Sequence, residues 1–386
     1  MNFSIALLAS ALTGWIALSY EIVWARVFGF TSGARADSFG KLLAAYLLGL
    51  ALGALLARRL RSNNDPDGRR NLRIVSRVAL AGNLLGFLVI PAVAEVGVHI
   101  WWGYTYGFVI PAAALLGVAF PLLCHAAIPP DDRAGARTSY LYVLNIIGSV
   151  AGSLSTGFLL MDSLPLAKIA QLLALLGIGL ASLLAWFAGG RAGLYEGLTS
   201  MVVGSTLVLG LSGALYDRLW EKLQWGRSLP RIDAVFRELT GAEFRFDDLH
   251  ESKSGVITIG REVRKDKAGK PVIDPHPVIY GGGIYDGRLD TTLEIGGWLV
   301  RPYAVSYLHP APKRVLMIGL SGGAWANILA GNPYVESITA IEINPGYLDI
   351  IARHPSVAPV LEDPRFKVVI DDGRRWLVRN PDERFD

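Results

Sequence analysis

Seven stretches of roughly 20 mostly apolar residues, at 5–25, 38–57, 74–95, 101–124, 138–160, 166–187 and 198–216, occupy the chain up to residue 216. About 20 such residues carry an α-helix across the hydrocarbon core of a bilayer. Backbone polar groups there must bond internally, so helices are the form such runs take. The predicted architecture over 1–217 is therefore a multi-pass α-helical membrane domain of about seven helices. Composition enters at this point: 52% of residues are hydrophobic and 18% charged, with a mean hydropathy of +0.38. That excess belongs almost wholly to the part before residue 217, where charge density rises and the main domain boundary falls. The first run has no basic start and passes through Glu21 and Trp24 without a small-residue cleavage site, so it does not read as a cleaved signal peptide.

Arginine placement sets an expected orientation. Arg58, Arg59, Arg61, Arg69, Arg70, Arg73 and Arg77 cluster after the second run, against Asp65 and Asp67. The next connection, near Glu95 and His99, has no Lys or Arg. The 58–77 loop is expected on the cytoplasmic side, and it explains the net charge of +4 better than nucleic-acid binding does. Seven spans would then put the rest of the chain outside. The expectation adopted is that one of the two weakest runs, the first or the last, does not cross, which leaves the C-terminal half cytoplasmic. Glu21 and Arg26, with Lys41 and Asn145, are polar groups at membrane depth and so functional candidates. Pairing of Glu21 with Arg26 or Lys41 is the structural alternative. Gly49/Gly53 and Gly148/Gly152 are spaced for close helix contact. The single cysteine, Cys124, excludes an internal disulfide and any cysteine-built metal site, and no metal is expected.

Residues 218–253 read as an amphipathic connector, with Ile232, Val235, Phe236, Leu239 and Phe244 near helical spacing. Residues 254–300 alternate, as in Val256-Ile257-Thr258-Ile259 and Val278-Ile279-Tyr280, with glycine turns between them. They predict a small antiparallel β unit. From 301 to 386 the pattern becomes strand–helix–strand–helix–strand, with strands at Val315-Leu316-Met317-Ile318, Ile338-Thr339-Ala340-Ile341 and Val368-Val369-Ile370. That is the N-terminal half of a Rossmann-like doubly wound α/β domain. The turn Gly319-Leu320-Ser321-Gly322-Gly323 lets backbone approach a ligand closely, because glycine has no Cβ. Glu342, 23 residues after Gly319 at the tip of the second strand, is placed to accept ribose hydroxyls. Asp371 and Asp372 end the third strand, and Asp372 is placed to accept from an adenine amino group. Gly319, Ser321, Gly322, Gly323, Glu342, Asp371 and Asp372 thus form the expected adenosyl-nucleoside site.

Pro312-Lys313-Arg314-Val315-Leu316-Met317-Ile318-Gly319, the glycine turn, Glu342-Ile343-Asn344, Asp363-Pro364-Arg365-Phe366 and Asp371-Asp372-Gly373 resemble the spermidine synthase family of aminopropyltransferases. Tyr20-Glu21-Ile22-Val23-Trp24-Ala25-Arg26 resembles the first helix of its membrane-fused bacterial branch. The resemblance covers about 254–386 well and the helical half loosely. It implies a fold of the class I methyltransferase and spermidine synthase type, decarboxylated S-adenosylmethionine as donor, a polyamine acceptor, and a multi-pass protein of the bacterial inner membrane. Asp286, Asp290 and Asp371, with Tyr285 beside them, are candidates to attract the polyamine, turn formation being the alternative.

Three departures stand out. Gly322 occupies the position of a family acid that holds the donor's amino group. Asp286 falls where a family glutamine contacts the donor. The acid-containing loop that activates the acceptor amine is expected beyond Asp386, which leaves no catalytic residue to name and leaves Val315–Ile318 as an edge strand. The sequence thus reads as an incomplete α/β domain that binds a nucleoside weakly without turnover. Two alternatives stay open: a methyltransferase using S-adenosylmethionine, and a membrane transporter or sensor that binds a nucleoside or polyamine. Homo-oligomerisation is left open as well.

Overall fold

The computed structural model describes residues 3–62, 65, 67–97, 100, 102–225, 246–261, 263–293 and 299–386. The chain divides into two compact units, Met1–Pro230 and Arg231–Asp386. The connector residues Ile232, Val235, Phe236, Leu239 and Phe244, and His99, lie outside the described residues.

In the first unit α1 (Phe3–Thr31), α2 (Asp37–Leu60), α3 (Arg69–Val96), α4 (Val109–Ala127), α5 (Ala134–Leu154), α6 (Leu166–Phe187) and α7 (Gly190–Tyr216) are followed by the short α8 (Leu219–Trp225). A π-helical turn, Ser155–Leu160, prolongs α5. Seven helices among the described residues are long and apolar enough to cross a membrane. The helices at the two ends of the series, thought the weakest, run to 29 and 27 residues, so helix length gives no ground for a miscount. Glu21 and Arg26 do not interrupt α1, because its backbone hydrogen bonds are internal whatever the side chains are. A side chain at Gly49 or Gly53 would strike α4 at Ala113 and Ala114, and one at Gly148 or Gly152 would strike the α1 backbone at Ala11 and Trp15. Both glycine pairs therefore sit where two helices touch backbone to backbone.

Side-chain contacts fix the two ends of this bundle. Near the start of α3, Arg73 donates to the Gly189 carbonyl at 3.2 Å and Arg77 pairs with Glu196 at the start of α7. Near its end, Phe87 accepts from Tyr216 Oη at 2.7 Å and Glu95 pairs with Lys222 of α8. α7 consequently finishes at the end of the bundle opposite the 58–77 arginine cluster, in which Arg58 and Arg59 belong to the last turn of α2 and Arg69, Arg70, Arg73 and Arg77 to α3. α3 and α7 thus run in the same direction.

In the second unit β1 (Asp248–Ser252), β2 (Gly255–Gly260), β5 (Val278–Gly281) and β6 (Ile284–Arg288) form an antiparallel sheet in the order β1-β2-β5-β6. A two-stranded ribbon, β3 (Val263–Lys265) and β4 (Pro271–Ile273), projects between β2 and β5 in sequence. The sheet starts six residues before the expected 254, because Asp248–Ser252 pairs with Gly255–Gly260 across a two-residue turn. β1 is polar apart from Leu249, which hid it in the sequence.

Next come α9 (Val300–Leu308), β7 (Arg314–Ile318), α10 (Ala324–Ala330), β8 (Ser337–Glu342), α11 (Gly346–Arg353), β9 (Phe366–Ile370) and α12 (Gly373–Arg379). Their parallel sheet has the order β7-β8-β9, with Ile318 level with Ile341 and Glu342 level with Ile370. β7 is thus an edge strand. At the start of its free side Asp386 N–H donates to the Arg314 carbonyl, and the Asp386 carboxylate accepts from the Lys313 and Arg314 amides. Ile257, Ile259, Ile279 and Leu289 of the antiparallel part share one apolar core with Met317, Leu320, Ala340, Ile350 and Ile351. This shared core presses the β5–β6 hairpin against the tips of β7 and β8.

Candidate nucleoside site

The backbone turns at the tip of β7 in a way that calls for glycine: Gly319 has φ +90° and Gly323 φ +76°, values that L-residues with a Cβ rarely adopt. Ser321 holds a left-handed φ of 49° without being glycine. Its hydroxyl donates to the Asp286 carbonyl, which fastens the turn to the β5–β6 hairpin.

Glu342 ends the central strand and is 4% exposed. Its Oε2 accepts from the Leu320 amide at 2.7 Å and its Oε1 from the Asn344 amide at 2.8 Å. One carboxylate therefore pins both turns that rim the site. Each oxygen has capacity for a further hydrogen bond, which suits a diol.

Asp286 stands opposite, on β6. It is partly open to the cavity, while its Oδ2 accepts from the Tyr347 hydroxyl of α11. Partial burial raises the Asp286 carboxyl above the usual range; the nearby Glu342 charge adds to this, and the Tyr347 and Ser321 hydrogen bonds work against it. Burial, then the Asp286 charge, also raises the Tyr347 hydroxyl.

These groups line a cavity of about 1450 Å³ that includes Tyr285, Asp286, Gly319, Ser321, Gly322, Glu342, Asn344 and Tyr347, with Leu299, Val305, Leu316 and Trp325 as apolar walls. Acceptors set in an apolar cleft are what a nucleoside site requires.

Other expected site residues lie elsewhere. Gly323 caps α10 and packs on Ile351. Asp371 is held by Arg375 and Arg379, and the Arg375 hydrogen bond, outweighing slight desolvation, keeps its carboxyl below the usual range. Asp372 accepts from the Arg375 amide at 2.8 Å as the N-cap of α12. Neither acid lines the cavity. Glu342 and Asp372 end neighbouring strands, and of the two only Glu342 is among the residues lining this cavity, while Asp372 caps the first turn of α12. Asp290 also lies outside the cavity, bound to His276 Nδ1 at 2.5 Å and to Thr292. Burial opposes its ionisation, but the Thr292 and His276 hydrogen bonds prevail and its carboxyl sits low.

Tyr347 and Asn344 were missed from sequence. Their signal was position, just past the Glu342 tip, but nothing local said that the hairpin would reach them. The structure also bears on Gly322. A Cβ there would come within 2.8 Å of Leu289 Cδ2, and Leu289 is 2% exposed in the core. Leu289, the residue after β6, would have to shift to admit a side chain here. Among the described residues no three His, Cys, Asp or Glu side chains converge as a metal group.

No family model matches the chain. Over 154 residues it is 30% identical to the polyamine aminopropyltransferase of Serratia proteamaculans, covering 38% of this chain and 53% of that protein. Over 77 residues it is 42% identical to the polyamine aminopropyltransferase of Agathobacter rectalis, covering 20% of this chain and 27% of that one. The chain spans about half or less of the length of these curated relatives. A solved spermidine synthase from Thermotoga maritima aligns at 20% identity over 36% of this chain and 44% of its own, with a TM-score of 0.28, too low to carry an argument. Part of the chain is thus homologous to polyamine aminopropyltransferases.

Proposed function

We propose that the chain is a membrane-anchored, spermidine synthase-like transferase whose C-terminal unit binds an adenosyl-sulfonium donor and a polyamine acceptor. The supporting observation is the meeting of Glu342, the Gly319–Gly322 turn and Asp286 around one cavity. Glu342 would accept the ribose hydroxyls, and Asp286 with Tyr285 would face the cationic part of donor or acceptor. In the reaction, the lone pair of a neutral amine attacks the methylene beside the sulfonium. The carbon–sulfur bond breaks, a neutral thioether leaves, and the new ammonium loses a proton. Placement of the two reactants supplies most of such a rate enhancement, and removal of the amine proton the rest. No residue of this chain is assigned to that proton transfer. Decarboxylated S-adenosylmethionine and S-adenosylmethionine both remain in play as donors; with Leu289 beside Gly322, no carboxylate stands at that point of the turn to favour the first, and methyl transfer is the alternative chemistry.

Titration calorimetry of the intact protein in detergent with both donors and with methylthioadenosine tests the reading. Binding of at least one adenosyl compound is expected, weakened tenfold or more by Glu342→Gln. Heat from none of the three would overturn it.

A second reading, a transporter or sensor that binds a nucleoside or polyamine without turnover, is favoured by the course of the bundle. Seven membrane-crossing helices with the 58–77 loop in the cytoplasm would deliver the chain beyond α8 to the other side of an inner membrane. Transfer from an intracellular donor needs the C-terminal unit in the cytoplasm. Reporter fusions after Lys222 and at the C-terminus separate the two: cytoplasmic signals support the transferase, external ones the sensor.

A further inference from the structure

Glu21 lies in the middle of α1 and is only 6% exposed, yet no hydrogen bond or ion pair holds it among the described residues. The basic residues expected to neutralise it are engaged elsewhere: Lys41 pairs with Asp37 at 2.6 Å, and Arg26 donates to Met161 Sδ at 3.4 Å. Glu21 stands one helical turn before Trp24 on α1, and Trp24 packs against Tyr46 of α2. Tyr46 is 2% exposed, and its hydroxyl is itself a buried polar atom without a partner. Trp24 completes the group. Its indole N–H donates to the Gly86 carbonyl, and its ring meets Tyr46 edge-on at 6.2 Å.

A carboxyl without a basic partner and an orphan phenol hydroxyl are both costly inside an apolar bundle. A carboxylate, a phenol oxygen and an aromatic surface are together suited to an organic ammonium: its N–H groups reach the two oxygens and its charge and methylenes meet the rings. A hard metal ion is a poorer fit, because it calls for six or more oxygen ligands. We propose that Glu21, Tyr46 and Trp24 form a binding site for a protonated primary amine in the helical unit. This does not rest on the reading of the C-terminal unit.

The test uses the intact protein in lipid nanodiscs and dicyclohexylcarbodiimide, which labels carboxyls in apolar surroundings. The expected result is labelling of Glu21, located by peptide mass spectrometry and absent in Glu21→Gln. Butylammonium should protect it at least tenfold better than tetramethylammonium, which has no N–H. Tyr46→Phe should label as readily as the wild type but need about tenfold more butylammonium for protection, the scale of one hydrogen bond to a charged group. Glu342→Gln should leave protection unchanged. An unlabelled Glu21, or labelling that sodium chloride suppresses as well as butylammonium does, would overturn the proposal.

Discussion

Two strand tips of the C-terminal unit carry acids, and they have different fates. Glu342 ends β8, flanked by β7 and β9, so its carboxylate is enclosed and accepts from two loop amides. Asp372 follows β9, at the sheet edge, and its carboxylate caps a helix that buries none of its residues. An acid at a strand tip becomes a site residue when neighbouring tips fold over it. At an edge it serves whatever helix starts there.

The largest effect that would break this contrast is expected at Glu342. Glu342→Ala strands the Leu320 and Asn344 amides in a buried place, at a cost of about 2–5 kcal/mol, and Glu342→Gln should cost roughly half as much. Denaturant unfolding of the intact protein measures both, and a loss below about 1 kcal/mol would mean the carboxylate does not hold the turns. Gly322→Ala forces a methyl toward Leu289, an overpacking worth about 1–3 kcal/mol. Adding Leu289→Ala should recover part of that loss, which a double-mutant cycle reads directly.

Asp372→Ala should cost only about 0.5–1.5 kcal/mol as a lost N-cap, and nucleoside binding in calorimetry should hardly change. If binding falls as far as in Glu342→Gln, the two tips are equivalent after all. The smallest effect is at Asp286. Its carboxyl is raised in the folded state, so its stabilising contribution is full below the unfolded value and fades as pH rises through the raised folded value. Stability of the ligand-free protein should therefore decline slightly across that window, and Asp286→Asn should flatten the decline. Affinity for a cationic ligand should rise over the same window, since the ionised form attracts it. A pH series of unfolding and binding curves checks both signs.

Much of this was legible because the physics was local. The apolar runs gave the helices to within a few residues at most ends. The run expected at 198–216 starts at Gly190, because a polar first turn, Arg191 to Glu196, does not look membrane-embedded although its backbone is helical. The glycine turn and Glu342 were readable because φ > 0 and a strand tip leave marks in sequence. Tyr347 and Asn344 were not, since their place in the site depends on a hairpin some 60 residues earlier in the chain. The pairing of Asp371 with Arg375 and the capping of α12 by Asp372 were equally hidden, because what an acid at a strand tip bonds depends on what packs beside its strand.

The sequence by itself determined that this chain has a helical apolar half and an α/β half with a glycine-rich turn, since periodicity and backbone permissiveness are properties of neighbours in the chain. Only the tertiary structure decided which carboxylates share a cavity, that Leu289 stands beside Gly322, that Lys41 pairs with Asp37 and Arg26 bonds Met161 rather than Glu21, and at which end of the bundle α7 finishes. Those outcomes depend on contacts between residues tens to more than a hundred positions apart, whose desolvation and hydrogen bonding exist only once the elements have packed.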